Sequence, residues 1–145
     1  DDEVERKAIN NEEKRENKDD AKIAQGLADK AIELDDNLIR AKVFLAYTYT
    51  DMGDNDKAIE VLDPAMEQAQ KLGDKQGEAA ILSALGTTYM NKGNLDLMIG
   101  YHKKALAIYH ETGNAEKLYH NLYTIGYDHK YTITTVYWVG LGAAN

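Results

Sequence analysis

Residues able to perform chemistry are few in this sequence of 145 residues, and they do not form a recognisable site. The histidines, His102, His110, His120 and His129, contain no HxxxH pair, and no Cys or tight carboxylate cluster joins them at metal-ligand spacing. Ser83 is the only serine, and it lacks the Gly-x-Ser-x-Gly context of an activated nucleophile. A phosphate-binding loop of the GxxxxGK[ST] type is absent as well. The sequence therefore predicts no catalysis, no metal site and no cofactor.

Charge and composition exclude two further classes of partner. The formal net charge of -8 and the pI near 4.9 repel phosphates and anionic lipid surfaces, so nucleic acid is not an expected partner. No apolar stretch has the length of a membrane span, and without Cys the chain cannot form disulfides.

The sequence opens with Asp1-Asp2 and no Met, which is compatible with a trimmed chain or a cleaved export signal. The sequence leaves a cytoplasmic and an exported location equally open.

The elements that carry these residues are internal repeats. The pattern Leu-(Ala/Gly)-x-x-Tyr-x-x-x-Gly occurs at residues 45–53 and again at residues 85–93, which is an offset of 40 positions. A weaker third copy begins at Leu122 and Ile125, and upstream Ala24 and Ala28 precede Ala58 and Leu62 by 34 positions. Such self-similarity is typical of stacked helical arrays.

These residues resemble the tetratricopeptide repeat, a helix-turn-helix unit. The segment 31–41 is similar to the connection between two such repeats, with Asp36 where the family usually has Pro, and the 40-residue spacing is similar to kinesin-light-chain repeats. The resemblance implies an all-α, right-handed superhelical solenoid of about three hairpins over residues 21–130. It also implies a non-catalytic protein-interaction module.

Helix physics predicts local details of each hairpin. Ala46 and Gly86 should allow two helices to approach closely, and Gly53 and Gly93 should end the first helices in the left-handed conformation. Second helices are expected at residues 55–71 and 95–111, the latter presenting Leu97, Tyr101 and Ala105 to its partner. Pro64 should interrupt its helix, or else Asp63 caps a new helix start with Pro64 at its first position. Asp35, Asp36, Asp51, Asp54 and Asp56 fall at helix ends, where they are interpreted as caps.

The resemblance also places a set of residues on the concave surface of the solenoid. They are Arg40, Val43, Tyr47, Thr50, Ser83, Thr87, Asn91, His120, Tyr123 and Tyr127. Their mixed polar and aromatic character fits a helix or extended peptide with apolar anchors better than a clamp for a C-terminal carboxylate. The alternative is that the tyrosines only cover the seams between hairpins.

Both termini depart from the repeat pattern. Residues 1–20 are strongly charged and form either a solvated helix or a disordered arm, and their composition favours disorder. Residues 131–145 are uncharged and β-prone, so a forced helix, a flexible tail and a pairing strand remain open. Self-association into a homo-oligomer or filament, through the exposed ends of the repeat array and this segment, is the alternative function. Its contact residues would be Tyr131, Ile133, Val136, Tyr137, Trp138 and Val139.

Overall fold

A computed structural model describes residues 2–114, 116, 117 and 120 of the chain. Five α-helices span this part: α1 (Asp2–Leu34), α2 (Ile39–Asp51), α3 (Asn55–Leu72), α4 (Lys75–Asn91) and α5 (Leu95–Glu111). The described residues contain no strand, and the all-α prediction is confirmed. Over the same residues, none of the helices combines the length and the apolar character that a membrane crossing requires.

The helices pair into hairpins that stack side by side. Helices α2 and α3 form one hairpin and α4 and α5 form the next, while α1 packs against α2 and α3 packs against α4. The hairpin turns contain Gly53 with φ 83° and Gly93 with φ 76°, as predicted. Gly73, with φ 67°, separates the two hairpins. These left-handed conformations cost little for glycine and strain other residues, so they fix where each helix ends.

Side-chain caps set the start of two helices. The carboxylate of Asp74 accepts a hydrogen bond from the Gly77 amide at 2.8 Å, and Asn94 caps α5 through the Leu97 amide at 3.1 Å. Asp54 occupies the N-cap position of α3, as predicted, but its side chain makes no capping hydrogen bond.

The core lies between the first hairpin and α4 and is rich in alanine. Its buried members are Ile39, Val43, Ala46, Ala58, Leu62, Ala65, Ala69, Ile81, Ala84 and Leu85. Small side chains let the helix axes come close together, and the few large ones then fill the remaining space. Stability in this region therefore depends on a small number of aliphatic side chains.

Gly86 of α4 lies against the His102 side chain of α5. A Cβ atom added there would lie 2.6 Å from both Cδ2 and Nε2 of His102, whose side chain is buried. This contact explains why a helix interior retains glycine: the space beside Gly86 is filled by the His102 side chain of α5. The buried face of α5 differs from the prediction, because Leu97 is exposed while Met98 is fully buried.

Pro64 does not interrupt α3, so the predicted break and the predicted fresh start at Asp63 are both wrong. Its ring lies on the exposed side of the helix, where the carbonyl that loses its partner can meet water. Leu62 and Ala65 on either side are fully buried, and this packing stabilises the helix across the proline.

The charged N-terminal residues 2–20 are helical and form the first half of α1. Their side chains are exposed, and Lys7 pairs with Glu3 at 2.9 Å over one helical turn. Glu, Lys, Arg and Ala have high helix propensity, so this segment is helical although its composition favours a disordered arm. Residues 121–145 lie outside the described part of the chain.

Candidate peptide-binding groove

A groove of about 720 Å³ lies between α1 and α2. The helix α1 has 33 residues and α2 has 13, so α1 extends past the end of α2 and forms a wall beside it. The lining residues are Lys14, Asn17, Lys18, Asp20, Ala21 and Ala24 from α1, and Phe44, Tyr47, Thr48, Asp51 and Met52 from α2 and the turn after it. A volume of this size accommodates a few side chains of a bound peptide.

One face of α2 supplies the aromatic part of the groove. Arg40, Phe44, Tyr47 and Asp51 follow each other at helical spacing and lie on the same side of the helix. Phe44 is the only phenylalanine of the chain and is 50% exposed. An aromatic ring of this size left half in water offers apolar area that a partner can bury.

The α1 wall combines small and charged side chains. Ala21 and Ala24 contribute small apolar side chains to the lining, and Lys14 and Lys18 contribute charged ones. The two lysines are balanced by Asp20 and Asp51 among the lining residues. The groove is therefore close to neutral within a chain whose formal charge is -8.

Tyr47 is anchored between the two hairpins. Its hydroxyl is hydrogen-bonded to Thr87 of α4, and its ring packs against the hydrophobic core. Burial raises the pKa of Tyr47 above its ordinary value of 10.0, and the Thr87 hydrogen bond opposes part of this increase. Burial likewise raises the pKa of Tyr109, whose hydroxyl is hydrogen-bonded to Ser83, and that of Tyr101.

These raised tyrosine pKa values predict an alkaline loss of stability. Below about pH 10 the phenols are neutral in both states and the free energy of unfolding does not depend on them. Above that pH the unfolded chain ionises first, so stability falls as pH rises toward the folded-state pKa. Urea unfolding at about pH 9 and about pH 11 should show this fall, and Tyr47→Phe should reduce it. An equal fall in the variant would contradict the assignment to Tyr47.

The residues predicted for the concave surface differ widely in their exposure to solvent. Arg40 and Asn91 are exposed, and Tyr47, Ser83 and Thr87 are partly buried where α2, α4 and α5 meet. Val43 and Thr50, 8% and 4% exposed, are directed into the core, where Thr50 Oγ1 lies 3.1 Å from Thr88 Oγ1. His120 is exposed. Tyr123 and Tyr127 lie outside the described residues, as do all six residues predicted for self-association.

Sequence reasoning missed Phe44 and Asp51 as groove residues. Both follow Arg40 on the exposed face, four and eleven positions later, so helical spacing counted from Arg40 would have found them. The resemblance to the repeat family placed Val43 on the concave surface instead. Val43 is adjacent to Phe44 in sequence but lies on the buried side of α2.

The described residues contain no group of three His, Cys, Asp or Glu side chains that could hold a metal ion. Stacked helical hairpins with an open groove define the class of helical-repeat scaffolds, which bind along an extended surface. Residues 37–109, half of the chain, match the family model described as "Tetratricopeptide repeat", and the chain belongs to that family. Repeats of this family generally mediate protein-protein interaction, and the family is typically a non-catalytic scaffold. Neither the curated proteins nor the solved structures contain a match to this chain.

Proposed function

We propose that this protein is a non-catalytic interaction module that binds a peptide or helix in the groove between α1 and α2. The observation that carries the proposal is the half-exposed Phe44 ring within that groove. The ligand would insert an apolar side chain beside Phe44 and the alanines of α1, because these lining side chains are apolar and offer no hydrogen-bonding groups. Family membership supports a protein partner in preference to a small molecule.

The charges of the groove suggest how such a ligand is oriented. Lys14 and Lys18 belong to α1, whereas Asp51 lies near the end of α2. A peptide with an acidic residue on one side of its apolar anchor and a basic residue on the other would match both walls. Exposed pairs of this kind contribute more to orientation than to affinity, so the apolar anchor should dominate binding.

Peptides selected from a random phage-displayed library on the full chain provide a direct test. Phe44→Ala is expected to raise the Kd of the selected peptides by about tenfold to a hundredfold, since a buried aromatic anchor typically contributes about 1.4–3 kcal/mol to binding. The fold should persist, because Phe44 is not part of the core. The measurement is isothermal titration calorimetry, with circular dichroism to verify folding.

Leu95→Ala is the matched control for this experiment. Leu95 is 45% exposed, close to the exposure of Phe44, but it lies at the start of α5 and does not line the groove. Selected peptides should bind this variant as they bind the natural chain. Equal binding to Phe44→Ala and to the natural chain would rule out the groove as the site.

A further inference from the structure

The side of α1 that faces away from the groove carries an exposed apolar seam. Ile23, Leu27 and Leu34 are 64%, 68% and 80% exposed, and at about 100° per residue they lie within about 40° of one another around the helix. We call these three residues, together with Asp20 and Lys30, the α1 seam. The five seam positions are separated alternately by three and four residues, which is the heptad spacing by which one helix packs against another, and three of the five side chains are apolar.

The corresponding face of α3, which is related to α1 by the 34-residue repeat, indicates which helix packs against such a face. Thirty-four positions after the three apolar seam residues, α3 carries Lys57, Val61 and Gln68. Lys57 lies 5.8 Å above the Tyr49 ring of α2, and Gln68 accepts a hydrogen bond from Lys42 of α2 at 2.7 Å. In the first hairpin this face of the second helix therefore contacts its own first helix, which leaves Lys57 exposed and Val61 and Gln68 partly buried.

Among the residues that the structure describes, no first helix covers the corresponding face of α1. Residues 2–20 continue α1 itself, so they do not fold back onto the seam. Helix α2 packs on a different side, where Ala28 is buried and Gln25 donates a hydrogen bond to the Tyr49 hydroxyl at 2.8 Å. The high exposure of Leu27 and Leu34 shows that the seam faces solvent.

We infer that the α1 seam pairs with the same seam of a second copy of the chain, in antiparallel orientation. In the register centred on residue 25, Ile23 faces Leu27 of the second copy, and the twofold axis repeats this contact. Leu34 then lies opposite Glu16, outside the apolar centre of the interface. The same register brings Asp20 opposite Lys30 of the second copy, also twice. A parallel pairing would instead oppose Asp20 to Asp20 and Lys30 to Lys30, so the charges favour the antiparallel dimer.

The groove and the seam lie on different sides of α1, and the dimer does not depend on the proposed function. Asp20 is at their border, since it also lines the groove. The dimer requires no ligand. Its failure and a failure of peptide binding can therefore be distinguished experimentally.

Sedimentation equilibrium of the full chain over about a hundredfold concentration range tests the dimer, since self-association depends on protein concentration. A monomer-dimer equilibrium is expected, and Leu27→Glu should raise its Kd by about tenfold or more because a carboxylate then faces Ile23. Leu72→Glu is the control, because Leu72 is 54% exposed at the end of α3 and lies outside the seam. A natural chain that stays monomeric, or a Leu27→Glu variant that dimerises unchanged, would overturn the inference.

Charge reversal tests the register. Asp20→Lys and Lys30→Asp should each weaken the dimer, because each creates a like-charge contact across the interface. The double variant should recover the affinity, since the two opposite charges are then exchanged. Lys30 also lies 3.8 Å from Glu33 within α1, so circular dichroism should verify that helix content is unchanged. Absence of recovery in a folded double variant would reject this register.

The absence of Cys in the natural chain allows a second test of orientation. In the antiparallel register the double variant Ile23→Cys, Leu27→Cys should form a disulfide-linked dimer under mild oxidation. Leu34→Cys should not, since the two copies of residue 34 would be separated by about 27 Å along the helix axis. Rapid cross-linking of Leu34→Cys would show a parallel arrangement and contradict the inference.

Discussion

Replacing Leu62 by Ala is expected to lower the free energy of unfolding by about 3–4 kcal/mol. Leu62 is fully buried in α3, and several of its neighbours in the core are alanines, including Ala58 and Ala65. Short side chains cannot move into the vacated volume, so most of the cavity should persist and the cost should lie in the upper part of the usual range. Since natural domains have a total stability of about 5–15 kcal/mol, this single change is large.

The measurement is urea unfolding followed by circular dichroism, with Leu72→Ala as the control. Leu72 is at the C-terminal end of the same helix and is 54% exposed, so its truncation should cost less than about 1 kcal/mol. Similar losses for the two leucines would mean that the core does not lie where the structure places it.

Gly86→Ala is expected to lower stability by about 1–2 kcal/mol although alanine is the better helix former. An ordinary exposed helix position would gain about 1 kcal/mol from this replacement. Here the new Cβ would lie 2.6 Å from the buried His102 ring, and overpacking of this kind typically costs about 1–3 kcal/mol or more. Because α4 and α5 pack tightly around this contact, we expect the steric cost to be larger than the gain.

Gly100→Ala provides the matched comparison, because a Cβ at Gly100 in α5 meets no atom within 4 Å. That variant should be about 1 kcal/mol more stable than the natural chain. The opposite signs at two helix-interior glycines would identify close packing, and not helix propensity, as the reason for glycine at position 86. A stabilised Gly86→Ala variant would contradict the contact with His102.

A double-mutant cycle isolates the contact itself. His102→Ala should destabilise the chain by removing a buried ring, yet in that background Gly86→Ala should become neutral or stabilising. The two substitutions are therefore expected to be strongly non-additive, by about 1–3 kcal/mol. Additive effects would mean that the strain arises from another neighbour.

The helix boundaries and turns follow from local sequence. Gly53 and Gly93 end their helices because glycine adopts positive φ without strain, and this preference does not depend on distant residues. The second helices predicted at residues 55–71 and 95–111 agree with α3 and α5 to within one residue. Pro64 is the exception, because burial of residues on both sides of it outweighs its local cost.

The rotation of each helix about its axis is less accessible from sequence. On α2, Val43 is buried while its neighbour Phe44 is half exposed, although both are large and apolar. Helix α2 contacts α1, α3 and α4, so several of its faces are covered and the periodicity of its apolar residues is weak. The family pattern selected Tyr47 of α2, which lines the groove between α1 and α2, but it did not select Phe44, which is 50% exposed in the same groove.

The repeat family, the all-α class and the turns could be predicted from the sequence alone, because they depend on short-range spacing and on backbone preferences. The tertiary structure decided which side chains those helices expose. Whether Phe44 lines a groove, or Leu27 lies on an open seam, depends on which neighbouring helix covers that face. Such coverage is set by packing between segments far apart in the chain, and the residue types at the positions themselves do not encode it.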